Sequence, residues 1–126
     1  MDITLSEFPG VYSVIRLDKD DDIPSWAMES SFYSVTKADD ELSILCNQDS
    51  VPEDVTAERD WKMLKVMGTL DFSLTGIAAA IHEPLSNAKI SVFLISTYDT
   101  DYILVKEDHF EEAKRVLSEH FTVDSN

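Results

Sequence analysis

Apolar and polar positions follow two rhythms along this chain, one of short β-like runs and one of helical stripes. VYSVIRL (11–17) is apolar and β-branched enough for a strand. DKDDDIPSW (18–26) follows as an acidic loop, with Pro24 opening a short helical turn over Ser25–Glu29. SFYSVTKA (31–38), the tight turn DDE and LSILCNQ (42–48) read as a strand, a reversal and a returning strand. Beyond a polar connection containing Pro52, WKMLKVMG (61–68) alternates. Trp61, Met63 and Lys65 share one face and Lys62, Leu64 and Val66 the other, so both faces are partly covered.

The second rhythm begins at DFSLTGIAAAIHE (71–83), where Leu74, Ile77, Ala78 and Ile81 form a stripe at i, i+3, i+4, i+7. Asp71 or Ser73 serves as its N-cap. Pro84 removes a helix hydrogen bond, so the helix either stops near Glu83 or continues kinked through Leu85. KISVFLIS and DYILVKE then form a hairpin. DHFEEAKRVLSEHF (108–121) is a second amphipathic helix, capped by Asp108, burying Phe110, Ala113, Val116, Leu117 and Phe121. FTVDSN offers a short edge strand and a frayed tail.

From Trp61 onward the order is strand, helix, strand, strand, helix, short strand. That predicts an α+β fold of the split βαβ, ferredoxin-like kind, with two helices on one face of an antiparallel sheet. Aligning VTKADDELSIL (35–45) with STYDTDYILVK (96–106) puts Thr36 on Thr97 and Asp40 on Asp101. The N-terminal half then reads as a second copy whose helices are reduced to stubs, giving units at 1–60 and 61–126. Two hairpins sharing a pattern would give the same alignment, and both readings stand.

The 126 residues suit one ordinary domain or two small ones, and 44% hydrophobic content suffices for a buried core. A formal charge of −15 argues against nucleic acid or an anionic membrane as partner. The single cysteine, Cys46, excludes an internal disulfide and fits a reducing compartment. MDITLSEF has no basic or apolar leader, and no run approaches the roughly 20 apolar residues of a membrane span. The expectation is a cytoplasmic, soluble protein.

Hairpin turns favour Gly, Asn or Pro, yet TYDTD (97–101) spends two hydroxyls, a phenol and two carboxylates on one. LDFSLTGI (70–77), followed at this distance by STYDTDYILV (96–105), resembles the ACT domains. The likeness is closest to small tandem-ACT proteins related to CASTOR arginine sensors and to aspartate kinase regulatory regions. It extends over IPSW, FYSVTKADDELSILC and VP, and so over nearly the whole chain. The resemblance implies a βαββαβ unit that binds an amino acid at an interface between ACT units, without catalysis and without a cofactor. It implies a helix-start group of Leu70, Asp71, Phe72, Leu74, Thr75 and Gly76, and a hairpin group of Thr97, Tyr98 and Asp101. Ser34, Val35 and Thr36 would come from a facing strand. A full first helix is missing from the N-terminal half, a departure from ordinary ACT units.

These residue types suit a zwitterion. Backbone N–H groups at a helix start accept a carboxylate. Gly76 lets a ligand approach closely, Asp101 or Asp71 accepts from an ammonium, and Tyr98 covers alkyl carbon. Plainer alternatives stand beside each. Gly76 could serve helix–sheet packing and Asp71 only a cap, while Asp99 and Asp101 could be Asx-turn residues. Tyr98 could be an exposed turn aromatic, and Ser34 with Thr36 the solvent face of a strand. His82, His109 and His120 lack metal-ligand spacing, and Cys46 reads as a buried inert thiol. The leading expectation is a homodimeric, non-enzymatic ligand sensor. The alternative is a protein-interaction module, and an enzyme is disfavoured because no nucleophile–base pair is visible.

Overall fold

A computed structural model describes residues 3–67 and 76–124. Its strands are β1 (Thr4–Leu17), β2 (Ser34–Lys37), β3 (Leu42–Asn47), β4 (Ala57–Val66), β5 (Phe93–Ser96), β6 (Asp101–Lys106) and β7 (Thr122–Asp124). The helices are α1 (Ile77–Asn87) and α2 (Glu107–Ser118), with 3-10 turns at Ser25–Glu29 and Gln48–Ser50. The fold is α+β. The chain divides into two compact units, Gly10–Trp61 and Met1–Pro9 with Lys62–Asn126.

In the Gly10–Trp61 unit, β3 lies antiparallel between β2 and β1. Pairing of Val35 with Ile44, and of Ile15 with Ile44, sets alternate residues of all three strands onto one face. That face supplies the core of Ile15, Ala27, Leu42, Ile44, Cys46 and Val51, against which Val35 packs. A 3-10 turn stands where a longer helix would otherwise cover the sheet. Pro24, extended at φ −63°, opens it, and Ala27 contributes its one buried side chain. Asp60 bends β4 with φ 69°. The Gln48 side chain holds that bend, accepting from Asp60 N–H at 2.7 Å and donating to Asp60 Oδ1 at 2.9 Å.

In the second unit, α1 offers Ile77, Ile81 and Leu85 and α2 offers Phe110, Ala113 and Leu117 to one core. Leu64, Val66, Ile103 and Val105 meet them from the sheet. Met63 and Leu64 are both fully buried, so the alternating β4 is covered on two faces, as its pattern predicts. The helix expected over 71–83 runs from Ile77 through Pro84 to Asn87. It ends in a Schellman arrangement, with Ile90 N–H on Leu85 C=O and Lys89 N–H on Ser86 C=O, both at 2.9 Å. Leu85 and Ile90 share the same core, which supplies the hydrophobic contact of that motif. Asp108, expected as the cap of α2, lies inside its first turn, and Lys106 takes the cap position. The expected caps of α1, Asp71 and Ser73, fall outside the described residues, and Gly76 takes the cap position.

The sheet of this unit differs from a self-contained βαββαβ order. The place beside β4 is taken by the first residues of β1, with Met67 N–H on Thr4 C=O at 2.9 Å. β7 pairs in parallel on β1 instead, Thr4 opposite Thr122. The reading of β1 as 11–17 missed this because Pro9 and Gly10 look like breakers. Gly10 does take φ 106°, yet the strand continues through it.

Lys89 adopts φ 61°, where glycine is normally found. Lys89→Gly relieves that strain but adds unfolded-state entropy. Chemical denaturation should show a net gain of up to about 1 kcal/mol. Burial pushes the Cys46 thiol from its ordinary 9.0 to about 11. A raised acid pKa keeps the folded state protonated while the unfolded thiol ionises. The Cys46 contribution should therefore be intact well below pH 9.0 and fall by roughly 2 kcal/mol as pH rises to about 11. Comparing denaturation midpoints across that range, Cys46→Ala should flatten this part of the slope.

Candidate functional site

The hairpin turn between β5 and β6 uses one of its two hydroxyls on itself and the other on the end of β4. Thr97 N–H and Oγ1 both donate to Thr100 C=O, at 2.8 and 3.0 Å. Thr100 N–H in turn donates to Thr97 Oγ1 at 3.3 Å. Thr100, a residue only 3% exposed, donates from Oγ1 to the Val66 carbonyl at 2.7 Å. The Thr97 hydroxyl thus closes the bend as Asn or Asp side chains often do. The last bond fixes the turn to the end of β4, the same end from which the chain leads on to α1.

With the hydroxyls so engaged, the turn presents Tyr98, Asp99 and Asp101. Tyr98 is 80% exposed. Asp99 is exposed, and Asp101 is half-buried opposite Ser96 at the start of β6. The carboxylates can accept hydrogen bonds, and the ring offers an apolar face.

Gly76 is the N-cap of α1, with φ 80° and ψ 2°. Its carbonyl accepts the Ala80 N–H at 2.8 Å, the first bond of the helix. Among the described residues, a Cβ built on Gly76 meets nothing within 4 Å. Its glycine is therefore required by the left-handed turn rather than by close packing. The amides that follow lack intrahelical partners, as at every helix start.

Ser34, Val35 and Thr36 occupy β2 in the other unit. Val35 turns into that unit's core, while Ser34 and Thr36 lie on the opposite side of the strand. Leu70, Asp71, Phe72, Leu74 and Thr75 lie outside the described residues. The structure thus gathers Thr97, Tyr98 and Asp101 in one turn and puts Gly76 in the same unit. Sequence reasoning counted the Thr100 hydroxyl among the turn's available groups and did not foresee its bond to Val66, which depends on a strand distant in sequence.

The remaining chemistry is sparse. Among the described residues no group of three His, Cys, Asp or Glu could hold a metal. Cys46 is fully buried. His109 stands 3.9 Å from exposed Asp108. No helix of the described residues is long and apolar enough to cross a membrane.

A family model described as ACT domain matches residues 56–119, and a second model, of an N-terminal domain, matches 10–54. The chain belongs to the ACT domain family. The human protein CASTOR3P is 31% identical over 105 residues, 73% of this chain and 64% of its own length. The human cytosolic arginine sensor for mTORC1 subunit 1 is 26% identical over 103 residues, again 73% of this chain but 31% of its own. The chain therefore spans less than two thirds of these curated relatives. A crystal structure from Agobacterium tumefaciens is 35% identical, covering 100% of this chain and 95% of that one with a TM-score of 0.93. Aspartate kinase from Clostridium acetobutylicum shares the fold at 15% identity, with a TM-score of 0.67 over 93% of this chain and 33% of the enzyme. Of these relatives, the one 26% identical is a cytosolic arginine sensor.

Thr100→Val keeps the shape and removes the bond to Val66. In chemical denaturation it should lower stability by about 1–3 kcal/mol, the cost of a buried carbonyl left without its donor. Exposed Asp99→Ala should change it by less than about 0.5 kcal/mol.

Proposed function

We propose that this ACT protein is a non-enzymatic regulator that binds a small ligand, an amino acid, at an interface between ACT units. The observation that carries the reading is the Thr100–Val66 bond, which holds a carboxylate-bearing turn at the end of β4 from which the chain runs to α1. The space beside Gly76, open among the described residues, supports it from the helix side. In this reading the α1 amides receive the ligand's carboxylate, and Asp101 accepts from its ammonium. Tyr98 lies over its carbon chain. The helix-start residues Leu70, Asp71, Phe72, Leu74 and Thr75, with Ser34, Val35 and Thr36 of a facing strand, complete the proposed site. Val35 would contribute through its backbone, since its side chain is in the core.

Kinship with an arginine sensor supports an amino acid as the ligand class. A cytoplasmic homodimer is part of the same proposal, with the β5 edge and apolar faces covered by a second copy. The exposed Tyr98 ring favours one other reading, a docking turn for a partner protein.

A thermal-shift panel of the twenty amino acids at millimolar concentration tests the proposal. One or a few should raise the melting temperature, and Asp101→Asn should abolish the response while leaving the unliganded melting point within a few degrees. A flat panel overturns the ligand reading. Loss of a protein partner on Asp101→Ala, with no response to any amino acid, would instead establish the docking turn.

A further inference from the structure

The edge of the Gly10–Trp61 unit has a chemistry that amino-acid binding does not use. Among the described residues β2 has a strand neighbour on one side only, β3. An open strand edge is a template for another extended chain. Side chains do not decide this edge, because in β2 they stand above and below the sheet. The outward backbone N–H and C=O groups do.

Charge decides what kind of chain fits. At the C-terminal end of β2 the chain turns through Asp39 and Asp40, closed by Ala38 N–H on Glu41 C=O at 2.9 Å. The loop after β1 is tied to the same place, because Lys37 Nζ donates to the Lys19 carbonyl at 2.5 Å. Together the two loops line an open depression of about 490 Å³ with Asp18, Asp20, Asp21, Asp39 and Asp40 against one cation, Lys19. Lys37 and Arg16 also reach the rim of this depression, through main-chain carbonyls rather than the aspartate carboxylates. Arg16 donates to the Asp40 carbonyl at 3.1 Å and pairs with Glu41 at 3.5 Å. Among the described residues no ion pair neutralises any of the five aspartates. At the other end of the strand Tyr33 is 44% exposed, an apolar contact for a docked side chain.

We infer that the β2 edge docks an extended, basic segment of a partner protein, adding it as a strand with its Lys or Arg residues over the acidic depression. A second copy of this chain is the poorer occupant, because each copy carries a formal charge of −15. The docked backbone would use the strand edge, whereas Ser34 and Thr36 project from a face. The amino-acid reading also calls on the Val35 backbone of this strand, so a docked strand and that ligand would compete there.

Fluorescence anisotropy with the full chain tests this, using a dye-labelled peptide Val-Thr-Val-Thr-Lys-Arg-Lys blocked at both ends. The peptide should bind, and the Asp39→Asn, Asp40→Asn double variant should weaken it at least about tenfold. Raising salt from about 50 to about 200 mM should weaken it several-fold. N-methylation at one set of alternate peptide residues should abolish binding, and at the other set should leave it intact. Three results would each overturn the inference. One is equal binding of a peptide with Glu in place of its cations. Another is indifference to N-methylation, the mark of diffuse charge attraction. The third is no peptide binding alongside a dimer whose β2 amides are protected from exchange.

Discussion

Glu7 sits between two ammonium groups, 3.5 Å from Lys62 and 3.2 Å from Lys114, and both cations flank the Phe110 ring at 4.9 and 5.3 Å. Burial alone would pull the Lys114 pKa down. Its hydrogen bonds to Glu111 and Glu7 outweigh that and raise it, so the ammonium stays charged. The cluster joins β1, β4 and α2, and it lies directly beside the core to which Ile3 and Leu5 belong. The C-terminal unit is therefore discontinuous in sequence. Its helices cannot bury their stripes fully until the start of the chain has paired beside β4. Closing that long loop costs entropy that the apolar and ionic contacts must offset. The geometry of α1 and of the β5–β6 turn rests on this closure, because both are built on β4.

The turn itself shows how structure narrows chemistry. TYDTD contains five polar side chains, and each looks equally available in a linear sequence. Thr97 and Thr100 prove to be internal bonds, one closing the bend and one anchoring it to β4. What is left is an exposed ring and two carboxylates. A site on this turn accepts hydrogen bonds far more readily than it donates them, which fits cations and ammonium groups and disfavours anions.

Local signals were legible wherever one force decided the outcome. Pro24 fixed the short turn at Ser25–Glu29, and strict apolar spacing fixed the stripes of α1 and α2. The strand at 4–10 was not legible. Its neighbours decide it, and Pro9 with Gly10 argues against it locally. The polar start of β4, Ala57–Asp60, was hidden for a similar reason, since Gln48 supplies the bonds that hold Asp60 in its bend. Pro84 left two outcomes open, and the helix passed through it because core contacts at Ile81 and Leu85 outweigh one missing hydrogen bond. At the candidate site, the resemblance named Tyr98 and Asp101. It could not show that the left-handed turn at Gly76 is what demands glycine there.

That last distinction bears on how a zwitterion would lie. A glycine kept for packing would have neighbours where its Cβ belongs, and a ligand would have no room. At Gly76 the demand comes from φ 80°, and the space beside it stays open among the described residues. The helix start contributes donors and the positive end of a dipole, while the turn contributes mainly acceptors. An amino acid presents the opposite pair, a carboxylate that accepts and an ammonium that donates. In the proposed reading only one orientation satisfies both, carboxylate to α1 and ammonium to Asp101. Ligands lacking either charge would leave one end of the site unmatched, so selectivity for the amino-acid backbone follows from the two ends themselves. The choice among amino acids then falls to whatever meets the side chain beyond Tyr98.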